Sequence, residues 1–167
     1  MVSLLVDTTA QTVTAFGATV PCAIGRGGAC TAEDKREGDG RTPLGTWALR
    51  TALLKPSVTI AEAPALPWRW ISPEDGWSDA PADPAYNRPV MWPHRWSAER
   101  MLRHDGLYDI VVTLAHNDTP PVPGAGSAIF LHCWRDGAPT EGCVAVERRV
   151  LADWLPRLRP GSMVEII

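Results

Sequence analysis

The sequence predicts a mainly β fold, a β-sandwich or meander, with a C-terminal helix and a long insertion rich in proline and tryptophan. Short runs of Val, Thr and Ile alternate with turn-forming residues near the N-terminus. Of the 167 residues, 45% are hydrophobic, which is enough for a core without disulfides or metals. Five of the eight tryptophans lie within residues 68–96, in a segment without helix or strand periodicity. We therefore expect a single domain over 1–167, with 55–105 as an insertion or lid.

The first half of the chain is predicted to be strands joined by turns. Strands are expected at 2–6, 12–16 and 19–24, where β-branched residues are frequent. Residues 25–40 are rich in glycine and charge, so we expect a solvated surface loop there. The chain then turns into another strand at 46–53.

Regular structure is expected again after the insertion. Within the insertion only 97–103 has a helical pattern, with Ser97 as its N-cap. Strands are predicted at 108–115, at 128–132 and, just before a helix, at 142–146.

The final segment is predicted to be a helix followed by a closing strand. The helix has one apolar face, formed by Val150, Leu151, Trp154, Leu155 and Leu158. Pro156 is expected to end or bend it early. A turn at Pro160 and Gly161 leads into a strand over 162–167.

The net charge of the chain limits its expected binding partners, and the pattern of its N-terminus bears on its cellular compartment. A net charge of −3 does not favour nucleic acid or an anionic membrane as a partner. No segment has the ~18 apolar residues of a membrane span. The N-terminus lacks a signal-peptide pattern, so the chain as written is expected in the cytoplasm. It would be periplasmic if an upstream signal has been removed.

The four cysteines form no C-x-x-C pair or zinc-finger spacing. Two disulfides would require an oxidising compartment, so reduced thiols are expected for the chain as written. A zinc site made of His116, His132, Cys133 and Cys143 is disfavoured, because adjacent strand residues point in opposite directions. We expect no metal and no cofactor.

His132 and Cys143 are the candidate catalytic pair. His132 ends a predicted strand, and Cys143 begins the next element after a loop, so adjacent strands would bring them together. An imidazole can accept the proton that a cysteine must lose to act as a nucleophile. The backbone amides of Gly142 and Cys143 are candidates for an oxyanion hole. The alternative is that both side chains are structural, as most strand-end histidines and isolated cysteines are.

Several ordered motifs strengthen the catalytic interpretation. His132 is followed by a loop and by Thr140-Glu141-Gly142-Cys143, and an upstream stretch reads KREGDGRTPLGT over 35–46. The chain resembles the L,D-transpeptidase catalytic domain family (YkuD-like) at these motifs, and it does so over nearly its whole length. The closer matches are 76–77, 86–90, 116–117, 124–132 and 139–145.

The resemblance implies a cysteine acyltransferase acting on peptidoglycan stem peptides or muropeptides. Cys143 would form a thioester with the L-centre of meso-diaminopimelate and expel D-alanine, with His132 moving the proton. The backbone carbonyl of Cys133 would orient the histidine. An amine would resolve the thioester to give a 3–3 cross-link (L,D-transpeptidase), or water would resolve it (a cytoplasmic L,D-carboxypeptidase). A carbapenem is expected to inhibit either enzyme. The alternative to both is a catalytically silent peptidoglycan-binding module, which would catalyse neither reaction.

Two positions depart from the family pattern. Glu141 stands where many members have a histidine that contacts substrate, and Ala145 replaces a common arginine. A carboxylate beside the thiol raises its pKa unless it is paired, and the sequence offers Arg135, Arg148 and Arg149 as partners. Recognition of a substrate carboxylate then falls to other arginines, with Arg41, Arg88 and Arg135 as candidates.

Other candidate substrate-binding residues surround the predicted pair: Thr140, Glu141, His116, Asn117, Ser127, Trp134 and Arg135. Trp134 and Arg135 directly follow the histidine and its neighbour, so they are expected in the walls of the site. His116 and Asn117 either line the cleft or cap a turn. The indoles of the insertion either stack on substrate or form the core of the insertion.

Overall fold

The computed structural model describes residues 2–167 and is mainly β, as predicted. Its elements, in chain order, are β1 (Val2–Asp7), β2 (Thr12–Ala15), β3 (Ala18–Pro21), β4 (Ala29–Cys30), β5 (Thr42–Pro43), β6 (Gly45–Leu54), β7 (Trp68–Trp70), β8 (Asp75–Ser78), β9 (Pro89–Met91), β10 (Ala98–Arg100), β11 (Ile110–Leu114), β12 (Phe130–Cys133), β13 (Val144–Val146), α1 (Arg148–Trp154) and β14 (Met163–Ile166).

Most strands form one sheet that is nearly closed. Its order is β13-β12-β11-β6-β14-β1-β2-β3, with β7 also paired to the long β6. Just after β3, Ala23 exchanges two backbone hydrogen bonds of 2.8 and 2.9 Å with Ala145 of β13. The two ends of the sheet therefore meet, and few backbone groups are left unpaired at its edges.

The sheet separates two apolar clusters, because successive strand residues point to opposite faces. Leu131 and Cys133 of β12 pack in the larger cluster, together with Leu151 and Trp154 of α1. Phe130 of the same strand packs on the other face, in a smaller cluster that includes Cys143. The helix ends at Trp154, close to Pro156 as predicted.

The prediction of a helix over 97–103 is wrong. Residues Ala98–Arg100 form β10, which pairs antiparallel with β8 in a three-stranded sheet with β9. An isolated helix of two turns is marginal in water, whereas the neighbouring β8 offers a hydrogen-bonding edge. This change turns Glu99 away from a solvated helix face and towards the predicted site.

The indoles of the insertion form only a small part of its buried core. Trp68 and Trp70 are 37% and 45% exposed, and their rings meet edge to face. Trp77 is half-buried and packs edge-on against Phe130. The buried apolar residues of this segment are instead Val58, Leu66, Ile71, Tyr86 and Met101.

All four cysteines, Cys22, Cys30, Cys133 and Cys143, are buried free thiols. In the part of the chain that the structure describes, no helix is long and apolar enough to cross a membrane.

Candidate active site

The parallel pairing of β12 with β13 brings His132 and Cys143 to the same face of the sheet. His132 lies opposite Ala145 in the register, so Phe130 lies level with Cys143, two residues earlier on each strand. Because side chains alternate along a strand, all four point to one face. His132 and Cys143 both line a cavity of about 480 Å³.

The Cys143 thiol is held by the backbone of β12 and of the segment just before it. Its Sγ–H donates to the carbonyl oxygen of Ala128 at 3.2 Å, and Sγ accepts from the N–H of Phe130 at 3.3 Å. Burial raises the pKa of this thiol to about 12, and the negative charge of Glu99 acts in the same direction. The resting thiol is therefore neutral.

The imidazole of His132 is fixed in one tautomer by its neighbour along the chain. Nδ1 lies 2.7 Å from the carbonyl oxygen of Cys133, and a carbonyl can only accept, so Nδ1 carries the proton. Nε2 is then left as a proton acceptor. Burial lowers the pKa of His132 to about 4, against the opposing effect of the Cys133 and Leu107 carbonyls. The resting imidazole is neutral.

The turn that presents Cys143 requires glycine at its centre. Gly142 has φ of +133°, and a Cβ at this position would lie 2.9 Å from the carbonyl oxygen of Arg41. Thr140 closes the turn, since its Oγ1 donates to the Cys143 carbonyl at 2.7 Å and accepts from the Gly142 N–H at 3.1 Å. The Gly142 amide, predicted to serve an oxyanion hole, therefore has a partner within the turn.

Glu141 is paired with an arginine that the sequence analysis did not propose. Its two carboxylate oxygens accept from Nε of Arg26 at 2.9 and 3.0 Å, and both side chains are largely exposed. The Arg26 N–H also donates to the Thr140 carbonyl at 2.8 Å, which holds the two loops side by side. Arg148 instead lies 3.5 Å from Asp109. The expected pairing with Arg135, Arg148 or Arg149 is therefore wrong.

The insertion supplies a polar wall of the cavity that the sequence analysis missed. Asp79, Glu99 and Arg103 all line the cavity, together with Tyr108. The Tyr108 hydroxyl donates to Glu99 Oε1 at 2.6 Å, and the guanidinium of Arg103 lies 5.1 Å over the Tyr108 ring. Glu99 and Arg103 fall within the predicted helix 97–103, and no other signal in the chain marked them.

A second polar wall comes from the loop predicted to be solvated. Lys35 is only 2% exposed, and its Nζ lies 2.5 Å from Asp39 and donates to the Arg36 carbonyl at 2.9 Å. Lys35 and Glu37 line the cavity, so this loop is not simply a solvated turn. Burying a lysine requires such partners, because an unpaired ammonium group is costly away from water.

His116 and Asn117 do not line the cavity, which corrects their prediction as substrate-binding residues. His116 is buried against Trp47, and its Nε2 donates to the Ala125 carbonyl at 3.2 Å. The Asn117 amide donates to the carbonyls of Val122 and Gly126 and accepts from the Val122 N–H. They shape the loop that leads to Ser127, which does line the cavity.

The remaining predicted residues fall into two groups. Thr140, Glu141, Trp134 and Arg135 line the cavity. Arg41 and Arg88 are held elsewhere, by the Ala29 carbonyl at 3.1 Å and by Asp118 at 3.3 Å. Of the three arginines proposed to meet a substrate carboxylate, Arg135 alone is a cavity residue.

Among residues 2–167, no group of three or more His, Cys, Asp or Glu side chains is arranged to hold a metal ion. His132 faces the cavity, whereas Cys133 packs in the cluster on the opposite face of the sheet.

Comparison with known proteins finds a family match over almost the whole chain. The profile of the L,D-transpeptidase catalytic domain, YkuD, matches residues 2–166. No curated protein sequence matches the chain.

Three solved structures match the chain. Bd1075 of Bdellovibrio bacteriovorus has a TM-score of 0.51 and 16% identity, over 99% of this chain and 47% of that one. L,D-transpeptidase 3 of Mycobacterium tuberculosis, solved with a faropenem-derived adduct, has a TM-score of 0.46 and 13% identity, over 99% and 59%. L,D-transpeptidase 1 of the same organism has a TM-score of 0.42 and 12% identity, over 98% and 60%. The chain thus spans only about half to three-fifths of these proteins.

Proposed function

The chain belongs to the L,D-transpeptidase catalytic domain family, and from this premise we propose that it is a cysteine acyltransferase acting on peptidoglycan stem peptides. Its nucleophile is Cys143, its base is His132, and its product is a 3–3 cross-link. The observation that carries the proposal is the tautomer of His132, whose Nδ1–H donates to the Cys133 carbonyl. This leaves Nε2 free to take a proton in the cavity that holds Cys143.

The first step forms a thioester. The Cys143 thiol leaves the Ala128 carbonyl, gives its proton to His132 Nε2, and attacks the carbonyl carbon at the L-centre of meso-diaminopimelate. Both groups are neutral at rest, so proton transfer accompanies the attack rather than preceding it. The tetrahedral intermediate then collapses, the carbon–nitrogen bond breaks, and the imidazolium returns the proton to the departing D-alanine amine.

The second step resolves the thioester. The side-chain amine of another stem peptide attacks the thioester carbon and loses a proton to His132, while the thiolate of Cys143 leaves and is reprotonated. In this proposal the Cys143 N–H donates a hydrogen bond to the negative oxygen of each tetrahedral intermediate. The Gly142 N–H donates a second one after it has left its resting partner, Thr140 Oγ1.

Substrate binding is assigned to the polar side chains of the cavity. Arg135 lines the cavity and makes no ion pair among residues 2–167, so its guanidinium is available for a substrate carboxylate. Ser127 lines the cavity and is 7% exposed, and its hydroxyl lies beside that of Tyr86. Trp134 supplies an apolar surface, and the Thr140 side chain maintains the turn.

The proposal is tested by incubating the protein with a disaccharide-tetrapeptide and analysing the products by mass spectrometry. A 3–3 linked dimer with release of D-alanine supports transpeptidation, and a disaccharide-tripeptide alone means that water resolves the thioester, as in an L,D-carboxypeptidase. Cys143→Ala is expected to remove either activity, whereas Cys22→Ala, at a buried thiol outside the cavity, is the matched control. An unchanged substrate with the wild-type protein would point to a silent binding module.

A further inference from the structure

We propose that Glu99 receives a cationic group of the acyl donor, the side-chain ammonium of the residue whose carbonyl Cys143 attacks. The inference rests on the proposed function, because that function supplies an amine-bearing substrate. Glu99 would then be a specificity residue. It lies on the insertion, outside the sequence motifs that resemble the family.

The position of Glu99 is set by strand pairing. Glu99 lies opposite Trp77 in the β10–β8 register, and its side chain is 27% exposed and lines the cavity. Oε1 accepts from the Tyr108 hydroxyl at 2.6 Å and lies 3.6 Å from Nη1 of Arg103. Oε2 makes no hydrogen bond among residues 2–167. One oxygen is therefore anchored, while the other is available to a donor from the cavity.

The charge of Glu99 is only partly balanced within the protein. Arg103 is its nearest cation, but this guanidinium makes three closer contacts with Asp105, at 3.2, 3.1 and 2.5 Å. Burial raises the pKa of Glu99, and the carboxylates of Asp79 and Glu37 act in the same direction, against the Tyr108 hydrogen bond and the charge of Arg103. Arg103 is the cation of this wall, but Asp105 holds it more closely, so a bound cation would offset the charge that remains on Glu99.

A second carboxylate oxygen in the cavity points to the same kind of ligand. Asp79 Oδ1 is buried without a hydrogen-bond partner in the described chain, and Asp79 lines the same cavity as Glu99. A primary ammonium group carries three N–H donors and no acceptor. An alkylammonium group supplies donors for carboxylate oxygens such as Glu99 Oε2 and Asp79 Oδ1, whereas a carboxylate or an apolar side chain supplies none.

Binding of the ammonium group at Glu99 would also affect the nucleophile. After burial, the charge of Glu99 is the largest cause that raises the pKa of Cys143. A cation paired with Glu99 offsets that charge, so the substrate itself lowers the pKa of the thiol it is about to meet. The free protein keeps a thiol of raised pKa, and the amine-bearing substrate makes that thiol more acidic.

The test is binding to the Cys143→Ala protein, which keeps the cavity but does not turn over. The probes are the tetrapeptide L-Ala-γ-D-Glu-meso-diaminopimelate-D-Ala and the same peptide acetylated on its free side-chain amine. Calorimetry should show at least about tenfold tighter binding of the free amine, as expected for one charged hydrogen bond. Adding Glu99→Gln, which keeps an acceptor for Tyr108, should abolish this preference and leave the acetylated probe unaffected. Glu99→Asp should restore part of it.

Equal affinity for the two probes, including no measurable affinity for either, would overturn the inference. So would a Glu99→Gln protein that loses affinity equally for both, because a merely structural role predicts that result. If the wild type turns over substrate but Glu99 causes no preference for the free-amine probe, this inference is refuted and the proposed function is not. A Glu99-dependent preference in a protein that never releases D-alanine refutes the proposed function instead.

Discussion

Tyr108 packs edge-on against His132, with ring centroids 5.2 Å apart and ring planes at 76°. The same tyrosine donates its hydroxyl proton to Glu99 at 2.6 Å, so one side chain touches both the proposed base and the proposed cation receptor. Tyr108 is buried and also meets Phe130 edge-on. The ring thus fixes the imidazole plane, while the hydroxyl anchors Glu99.

The two roles of Tyr108 can be separated by substitution. Tyr108→Phe keeps the ring but removes the hydrogen bond, so we expect a loss of about 1 kcal/mol in the free energy of unfolding. Tyr108→Ala also leaves a cavity beside the imidazole and should cost about 3–5 kcal/mol. Urea denaturation measures both. Equal losses in the two variants would show that ring packing against His132 contributes little.

The buried imidazole predicts a specific pH dependence of stability. His132 has a pKa of about 4 in the folded protein, below its unfolded value of about 6.5. Between these values the unfolded chain binds a proton that the folded protein does not, so stability falls as the pH falls from 6.5 to 4. The shift corresponds to a loss on the order of 3 kcal/mol.

The measurement is urea denaturation of wild type and His132→Gln at pH 7 and pH 4.5. The variant should lose much less stability between these values than the wild type does. His104→Gln is the matched control, because His104 is an exposed histidine outside the cavity. Identical pH profiles for wild type and His132→Gln would contradict the assignment.

The turn at Gly142 should tolerate no side chain. Gly142→Ala would place a Cβ 2.9 Å from the Arg41 carbonyl at a φ of +133°. We expect a loss of about 1–3 kcal/mol in stability, and loss of turnover because Cys143 is displaced. Gly124→Ala is the control, since its φ is also positive, at +82°, but nothing lies within 4 Å of the added Cβ. Similar effects on turnover at both positions would argue against the role given to this turn.

The two nearby acidic residues should affect the thiol unequally. The charges of Glu99 and Glu141 both raise the pKa of Cys143, with Glu99 the stronger. Glu99→Gln should therefore lower the pH midpoint for alkylation of Cys143 by iodoacetamide more than Glu141→Gln does. Glu141 is exposed and paired with Arg26, so its substitution should change stability by less than about 1 kcal/mol. A larger shift from Glu141→Gln would contradict this order.

Much of the fold follows from local patterns in the chain. The β-branched runs near the N-terminus, the apolar face of α1 and its end before Pro156 are readable because burial and backbone geometry act over a few residues. The Gly142-Cys143 dipeptide is likewise visible, since only a small residue fits such a turn.

Other features depend on contacts that local patterns do not encode. Residues 97–103 have a helical pattern, yet the distant β8 edge makes Ala98–Arg100 a strand. The pairing of Glu141 with Arg26 arises because two loops far apart in sequence run side by side. His116 and Asn117 resemble site residues by sequence, but their side-chain hydrogen bonds close their own loop.

The identity of the nucleophile is tested most directly by intact-mass and peptide-mapping spectrometry after exposure to a carbapenem. Thiolate attack on the β-lactam carbonyl opens the ring without a leaving group, so the protein should gain the full mass of the drug. We predict one adduct per chain, located on Cys143, and none in Cys143→Ala. An adduct on Cys22, Cys30 or Cys133, or an unlabelled wild-type protein, would contradict the central claim that Cys143 is the acyl-accepting nucleophile.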